Sequence, residues 1–323
     1  MTVGDFEHRN EARWAAYERL VGELERGKRG PEARELPRQF RELCVDLALA
    51  EHRFYGERLT RRLNALVVRG YELIYRNRQS GRERLVRFVV VGLPQAVRRD
   101  WRLFWGCSAA FWLPFLAVMI SAAVDLNWVQ SILGVDGMAS MDQMYGGRES
   151  QVEHLRQEYG ANFMMFGHYI KHNIGIDLQT FAGGIAGGVG SLFFLLFNGV
   201  YLGAAAGYVN QAGNPESFWT FVSGHSSPEL LGMILSGMAG MRLGLALWKP
   251  GRLPRSRALR EAAQRALPLI LGAMVLTAVA AAVEGFWSAQ LLPSGLKYGV
   301  GIAGWILLGS YLTLAGRGMT DGT

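Results

Sequence analysis

Small residues recur at every fourth position inside two apolar runs, as Gly199, Gly203 and Gly207 in the first and as Gly232, Ser236, Gly240 and Gly244 in the second. A four-residue spacing returns to nearly the same side of an α-helix, so each run carries a face almost without side chains on which another helix can lie close. This is the packing pattern of helices in a membrane, and it narrows the fold more than any other feature of the chain. Ser226, Ser227, Pro228 and Glu229 have the S-x-x-E form of a capping box with proline in the first turn. They predict a helix that begins at Pro228 and ends near Trp248.

The other spans follow from apolar runs and from the charges at their ends. Residues 101–124 are apolar, flanked by Arg98, Arg99 and Arg102, and long enough to cross a hydrocarbon core of about 30 Å. Residues 249–265 hold six bases against the single acid Glu261, an excess that assigns this loop to the cytoplasm. That assignment requires two spans ahead of Pro228, expected at 162–183 and 191–210 with a glycine turn at 184–190. Two more are expected at 266–285 and 298–314, with outer connections at 211–224 and 286–297. The expected fold is all-α: a polytopic membrane helix bundle of about six transmembrane helices with an N-terminal cytoplasmic helical domain and both termini in the cytoplasm. Residues 103–316 form the bundle, 125–160 an outer loop with a short helix at 148–159, and 317–323 a cytoplasmic tail.

Residues 1–102 carry 22 Lys and Arg against 15 Asp and Glu, with leucines spaced near a helical repeat. Residues 1–81 are expected to form a cytoplasmic helical hairpin, one helix at 5–26 and a longer one at 37–78, separated by a break at 27–31 and ended at 79–81. Residues 82–102 alternate arginines with Leu85, Phe88, Val89, Val91 and Val97 around Pro94, as an amphipathic helix on an anionic inner leaflet would. The first ten residues are polar and show no signal peptide. The cysteines, Cys44 and Cys107, are assigned no disulfide. The net charge of +7 comes from bases that are mixed with acids on helical faces or flank apolar spans, so membrane orientation accounts for it and nucleic acid is not expected.

Ionisable residues inside spans are the candidate site. His168, Lys171, His172, Asn173 and Asp177 share the helix at 162–183, which survives only inside a bundle or beside a polar cavity. His168 and His172 are spaced i, i+4, and so are His225 and Glu229. Pro228 suggests that His225 precedes its helix and that Glu229 serves as a cap, which favours a hydrogen-bonded structural cluster. Glu284 ends the fifth span on the same outer side, so His168, His172, His225, Glu229 and Glu284 are expected to share an outer polar pocket for a partner, proton, ion or metal. Asp177 and Arg242 each lie roughly 10 Å in from the inner end of a span at helical rise and are expected to pair. H-E-x-x-H, the phosphate-loop pattern and a G-x-S-x-G elbow are all absent, so no catalytic residue, metal or cofactor is assigned.

The segments HYIKHNIGIDLQTFAGGIAGGVGSLFFLLFNGVYLGAAAGY and SGHSSPELLGMILSGMAGMRLG resemble the stage II sporulation protein M family of multi-spanning bacterial membrane proteins. FRELCVDLALAEHRF and RLNALVVRGYELIY resemble the cytoplasmic extension of its longer, non-sporulating members. The sporulation members are associated with a scaffold for peptidoglycan-remodelling enzymes, and the longer ones with MoxR-type ATPases and von Willebrand A-domain proteins. The resemblance implies a scaffold in the bacterial cytoplasmic (inner) membrane whose partners are cell-envelope enzymes or a MoxR-type ATPase. The glycine faces add a homo-oligomer, with a dimer favoured. The alternative is a channel or transporter for an ion or small solute.

Overall fold

The computed structural model describes residues 2–27, 30–75, 81–160 and 162–319, and these hold helices and turns without a strand. The expected all-α architecture is what the chain adopts. It divides into two compact units, Met1–Glu83 and Arg84–Thr323.

Among the described residues the first unit holds the α-helices α1 Val3–Glu25, α2 Leu36–His52 and α3 Glu57–Tyr75, where a hairpin was expected. A reciprocal capping box between Thr2 and Asp5 starts α1. The long second helix is interrupted because Phe54 and Gly56 take positive φ of 53° and 99°, a left-handed turn that glycine accepts without strain. Between them Tyr55 turns inward onto Phe6, their ring centroids 5.1 Å apart. Phe6, Trp14, Tyr17, Val21 and Leu63 fill the centre. Asp46 of α2, also buried, accepts hydrogen bonds from Trp14 Nε1 at 2.9 Å and from Arg13. The expected helix end and break at 76–80, part of the break at 28–29, and the tail residues 320–323 lie outside the described residues.

Two forked ion pairs tie α3 to α1. Arg62 donates to both carboxylate oxygens of Glu11 at 2.9 and 2.8 Å, and Arg69 donates to both of Glu25 at 2.9 and 2.8 Å. These bonds hold both carboxyls below the ordinary glutamate range. A carboxyl depressed on folding contributes stability that is present above its unfolded pKa and lost as pH falls through the folded one. Protection of α1 and α3 against hydrogen exchange is therefore expected to weaken below about pH 4.3. The double variant Glu11→Gln, Glu25→Gln should flatten that dependence, by at most about 1 kcal/mol per pair because the side chains are half exposed. An unchanged pH profile in the double variant would remove the pairs as its cause.

The boundary at Glu83 falls inside α4 Gly81–Arg87, which is followed by a π-turn at Phe88–Gly92 and α5 Leu93–Arg99. Pro94 has no amide hydrogen for the Val90 carbonyl, and the helix widens ahead of it. The expected interfacial helix is thus broken. Leu85, Val86 and Val90 stay exposed, whereas Val91, Leu93 and Val97 are buried. Arg98 clamps this segment by donating to the Leu312 and Ala315 carbonyls at 2.7 Å each.

Among the described residues there follow α6 Trp101–Ser121, α7 Gln130–Tyr145, α8 Arg148–Tyr159, α9 Asn162–Ala182, α10 Val189–Gln211, α11 Pro215–Trp248 and α12 Arg255–Val283, with a π-turn at Glu284–Ser288 and then α13 Ser294–Leu314. Among the described residues α6, α10, α11 and the stretch Arg255–Ser288 are long and apolar enough to cross a membrane. Helices α9 and α13 have 21 residues each, about 31 Å at helical rise, but α9 carries Lys171 and Asp177 and α13 holds Lys297 in its first turn.

Two helices start earlier than expected. The helix expected at Pro228 starts at Pro215, where Asn214 caps it by accepting from the Ser217 amide at 3.2 Å. Asparagine before proline is a complete start signal, and Pro228 then rides inside the helix at the loss of one backbone bond. The outer connection expected at 211–224 shrinks accordingly. Helix α12 likewise begins at Arg255, eleven residues before its expected start, because 255–265 continue the helical pattern beyond the apolar stretch.

The glycine stripes pack helices within this chain. A Cβ at Gly203 would lie 2.5 Å from the Phe115 carbonyl oxygen and one at Gly207 2.6 Å from Ala122 Cβ, while Gly199 abuts the Phe111 carbonyl, so α10 lies backbone to backbone on α6. On α11 each four-residue step advances about 40° around the helix. The stripe accordingly changes partner: Gly232 faces Thr277 of α12, Gly240 the Phe181 carbonyl of α9, and Gly244 the turn at Gly187 and Gly188.

Candidate functional site

Helix α9 turns a polar edge into the bundle. Asn173, Asp177 and Thr180 are buried along one side, at spacings of four and three residues. Thr277 of α12 donates to the Asp177 carboxylate at 2.5 Å, and Ser236 of α11 faces the same group. Two turns beyond Thr277, just past the end of α12, the π-turn Glu284–Ser288 carries Glu284 and Ser288, both buried. A π-turn holds more than four residues per turn, so positions 284 and 288 point nearly the same way.

They point at His225. Its Nδ1 shares a hydrogen bond with Ser288 Oγ at 2.9 Å, while Nε2 lies 3.6 Å from Glu229 Oε2 and 3.9 Å from Glu284 Oε1. Because α11 runs unbroken through Pro228, His225 and Glu229 occupy one helical face, and the reason for reading Glu229 only as a cap falls away. Asn173 and Tyr169 of α9 face the Glu284 carboxylate. The ring of Phe221 meets His225 edge-on at 5.5 Å, and Tyr145 of α7 packs on Phe221 and Phe218, at 6.2 and 5.0 Å. The 125–160 segment therefore folds over this end of the bundle, where Tyr208 also donates to Asp142 at 2.9 Å. Lys297 closes the rim, its Nζ donating to the Ser288 carbonyl at 2.6 Å.

Of the five residues expected in one pocket, His225, Glu229 and Glu284 converge. His168 and His172 do not. They lie on the exposed side of α9 with Lys171, their rings stacked at 6.0 Å, because a polar edge through Asn173 and Asp177 rotates them away from α11 and α12. The expected Asp177 and Arg242 pair is also corrected: Arg242 Nη1 pairs with Asp100 Oδ1 at 2.5 Å. Asp177 stands level with Ser236, and Arg242 lies six residues further down α11, below the point where α9 ends against Gly240. Arg242 lines a cleft of about 440 Å³ with Lys249, Pro250, Glu261 and Arg265. Ser288, Thr277 and Asp100 were not expected in any site. A polar residue one helical turn beyond Glu284 was the available signal for Ser288, whereas Asp100 is 142 positions from its partner and carries none.

The family model of stage II sporulation protein M matches residues 107–289, more than half of the chain and all of the His225, Glu229 and Glu284 cluster. A domain family of unknown function, DUF8413, matches residues 4–76, within the three-helix unit. No curated protein and no solved structure matches the chain. With four membrane-long apolar helices, glycine faces packed backbone to backbone and this match across the bundle, the chain belongs to the stage II sporulation protein M family.

Proposed function

We propose that this protein is an integral membrane scaffold of the bacterial cytoplasmic membrane that spans it six times and presents a helical domain on one side and the 125–160 segment on the other. The observation that carries this reading is the joining of a separately compact unit, Met1–Glu83, to a bundle held by close backbone contacts. Such packing makes a stiff frame, and the surfaces left for partners are those outside it. Six spans with both termini in the cytoplasm are supported by the bases of 249–265 and by lengths of α9 and α13 that match a hydrocarbon core of about 30 Å. The partners implied are a cell-envelope enzyme or a MoxR-type ATPase. A second copy would find its natural contact on the exposed edge of α9, where His168, Lys171 and His172 gain from being covered.

Affinity purification of the full chain in mild detergent is expected to recover such an enzyme or ATPase, and charge reversals on the exposed faces of α1 to α3 should release it without unfolding the bundle. A second reading, passage of an ion or small solute, is favoured by the buried edge of Asn173, Asp177 and Thr277. Purified protein that returns alone yet carries a solute across liposomes would replace the scaffold with a transporter.

A further inference from the structure

We propose that His225, Glu229 and Glu284 bind a divalent first-row metal ion of the Zn²⁺ or Mn²⁺ class. One nitrogen and two carboxylate oxygens, from two helices, lie within 4.8 Å of one another. Metal bonds of about 2.0–2.2 Å put neighbouring ligand atoms about 3.0–3.6 Å apart, so the observed 3.6 and 3.9 Å close with small side-chain rotations. One imidazole with two carboxylates suits Zn²⁺ or Mn²⁺ better than Ca²⁺ or Mg²⁺, which favour oxygen alone.

Three further observations point to a cation. First, Glu284 is 7% exposed and its Oε2 has no hydrogen-bond partner among the described residues, an unusual state for a buried carboxylate oxygen. Second, no lysine or arginine forms an ion pair with Glu229 or Glu284 among the described residues, and the nearby Lys297 is engaged with the Ser288 carbonyl. Two carboxylates beside each other in a bundle interior are costly without a compensating positive charge. Third, Ser288 holds His225 through Nδ1 and so turns Nε2 toward the carboxylates, the arrangement by which a neighbouring group orients a ligating histidine; with Nδ1 donating to Ser288 Oγ, the Nε2 lone pair would be free for the ion. About 25% of the Glu229 side chain remains accessible, which leaves an entry path and a coordination position for water. The ion would pin α11 to the end of α12 beneath Tyr145.

The full chain in lipid nanodiscs, stripped with chelator and then equilibrated with Zn²⁺ or Mn²⁺ alone, is expected to retain one ion per chain after desalting, measured by elemental mass spectrometry. Co²⁺ should give a visible absorption band of the bound ion. Glu284→Gln and His225→Gln should each lower affinity at least tenfold, and Ser288→Ala about 10- to 100-fold without removing a ligand. The double variant His168→Ala, His172→Ala should bind as the parent does. Failure of the parent to retain an ion overturns the proposal. So does retention that survives Glu284→Gln and His225→Gln, or that disappears with His168 and His172. If Glu284→Gln does not yield monodisperse protein, the Ser288→Ala titration decides: parental affinity there also overturns it.

Discussion

Replacing Asp100 with alanine is expected to destabilise the membrane unit by about 3 kcal/mol, at the lower end of what breaking a buried ion pair costs. Asp100 ends α5 and opens α6, and its carboxylate is the partner of Arg242 on α11. The side chains are 12% and 21% accessible, so neither charge is well hydrated by itself. Without Asp100, Arg242 faces a cleft whose other bases are Lys249 and Arg265, with Glu261 as the one acid on that lining. The double variant Asp100→Ala, Arg242→Met should recover most of the loss, since it removes the stranded charge and keeps the packing. Asp177→Asn should cost under about 1 kcal/mol, because an amide oxygen can still accept the Thr277 hydroxyl. Chemical unfolding of the parent, Asp100→Ala, Arg242→Met and their double variant in detergent completes the cycle. No coupling between Asp100 and Arg242 would contradict the packing of α6 against α11.

How far the residues announce this fold depends on what each signal measures. The repeat Gly199, Gly203, Gly207 announces a helix face that another backbone must cover, and α6 covers it. It does not announce which backbone, because spacing fixes a direction on one helix and nothing about its neighbour. The same repeat on α11 was read as one packing face, yet its slow rotation delivers Gly232, Gly240 and Gly244 to three different partners. Local start signals compete as well. Ser226 to Glu229 has the form of a cap, but Asn214 and Pro215 start the helix a third of its length earlier, and a helix already running has no use for a second cap. That error moved His225 off the helix and made Glu229 a cap, although the shared depth of His225, Glu229 and Glu284 still placed them in one expected pocket. Depth was legible for Glu284 and rotation was not for His168 and His172, whose spacing is helical but whose side of α9 follows from the buried Asn173 and Asp177. In the first unit the leucine pattern runs past Phe54 and Gly56 without a change of period, so the turn there shows only in backbone geometry.

Leucine at Gly203 or Gly240 is expected to abolish the folded bundle, whereas leucine at Gly175 or Gly309 should leave it intact. All four glycines lie inside helices, so backbone conformation does not separate them. Space does. A Cβ at Gly203 meets the Phe115 carbonyl at 2.5 Å and one at Gly240 meets the Phe181 carbonyl at 2.6 Å, both backbone atoms that move only if a whole helix moves. Overpacking a fitted interior costs about 1–3 kcal/mol when side chains can rearrange, and more when the obstacle is backbone. At Gly175 and Gly309 nothing lies within 4 Å of the added carbon. There leucine gains up to about 1 kcal/mol of helix propensity over glycine. The yield of monodisperse protein by size exclusion separates the two outcomes directly. The open positions also test for a second copy: if Gly309→Leu leaves each chain folded but halves the mass measured in nanodiscs, the contact between copies runs along α13. An intact bundle with leucine at Gly203 would mean that the α10 stripe faces away from α6, and the internal use of the glycine faces would have to be given up.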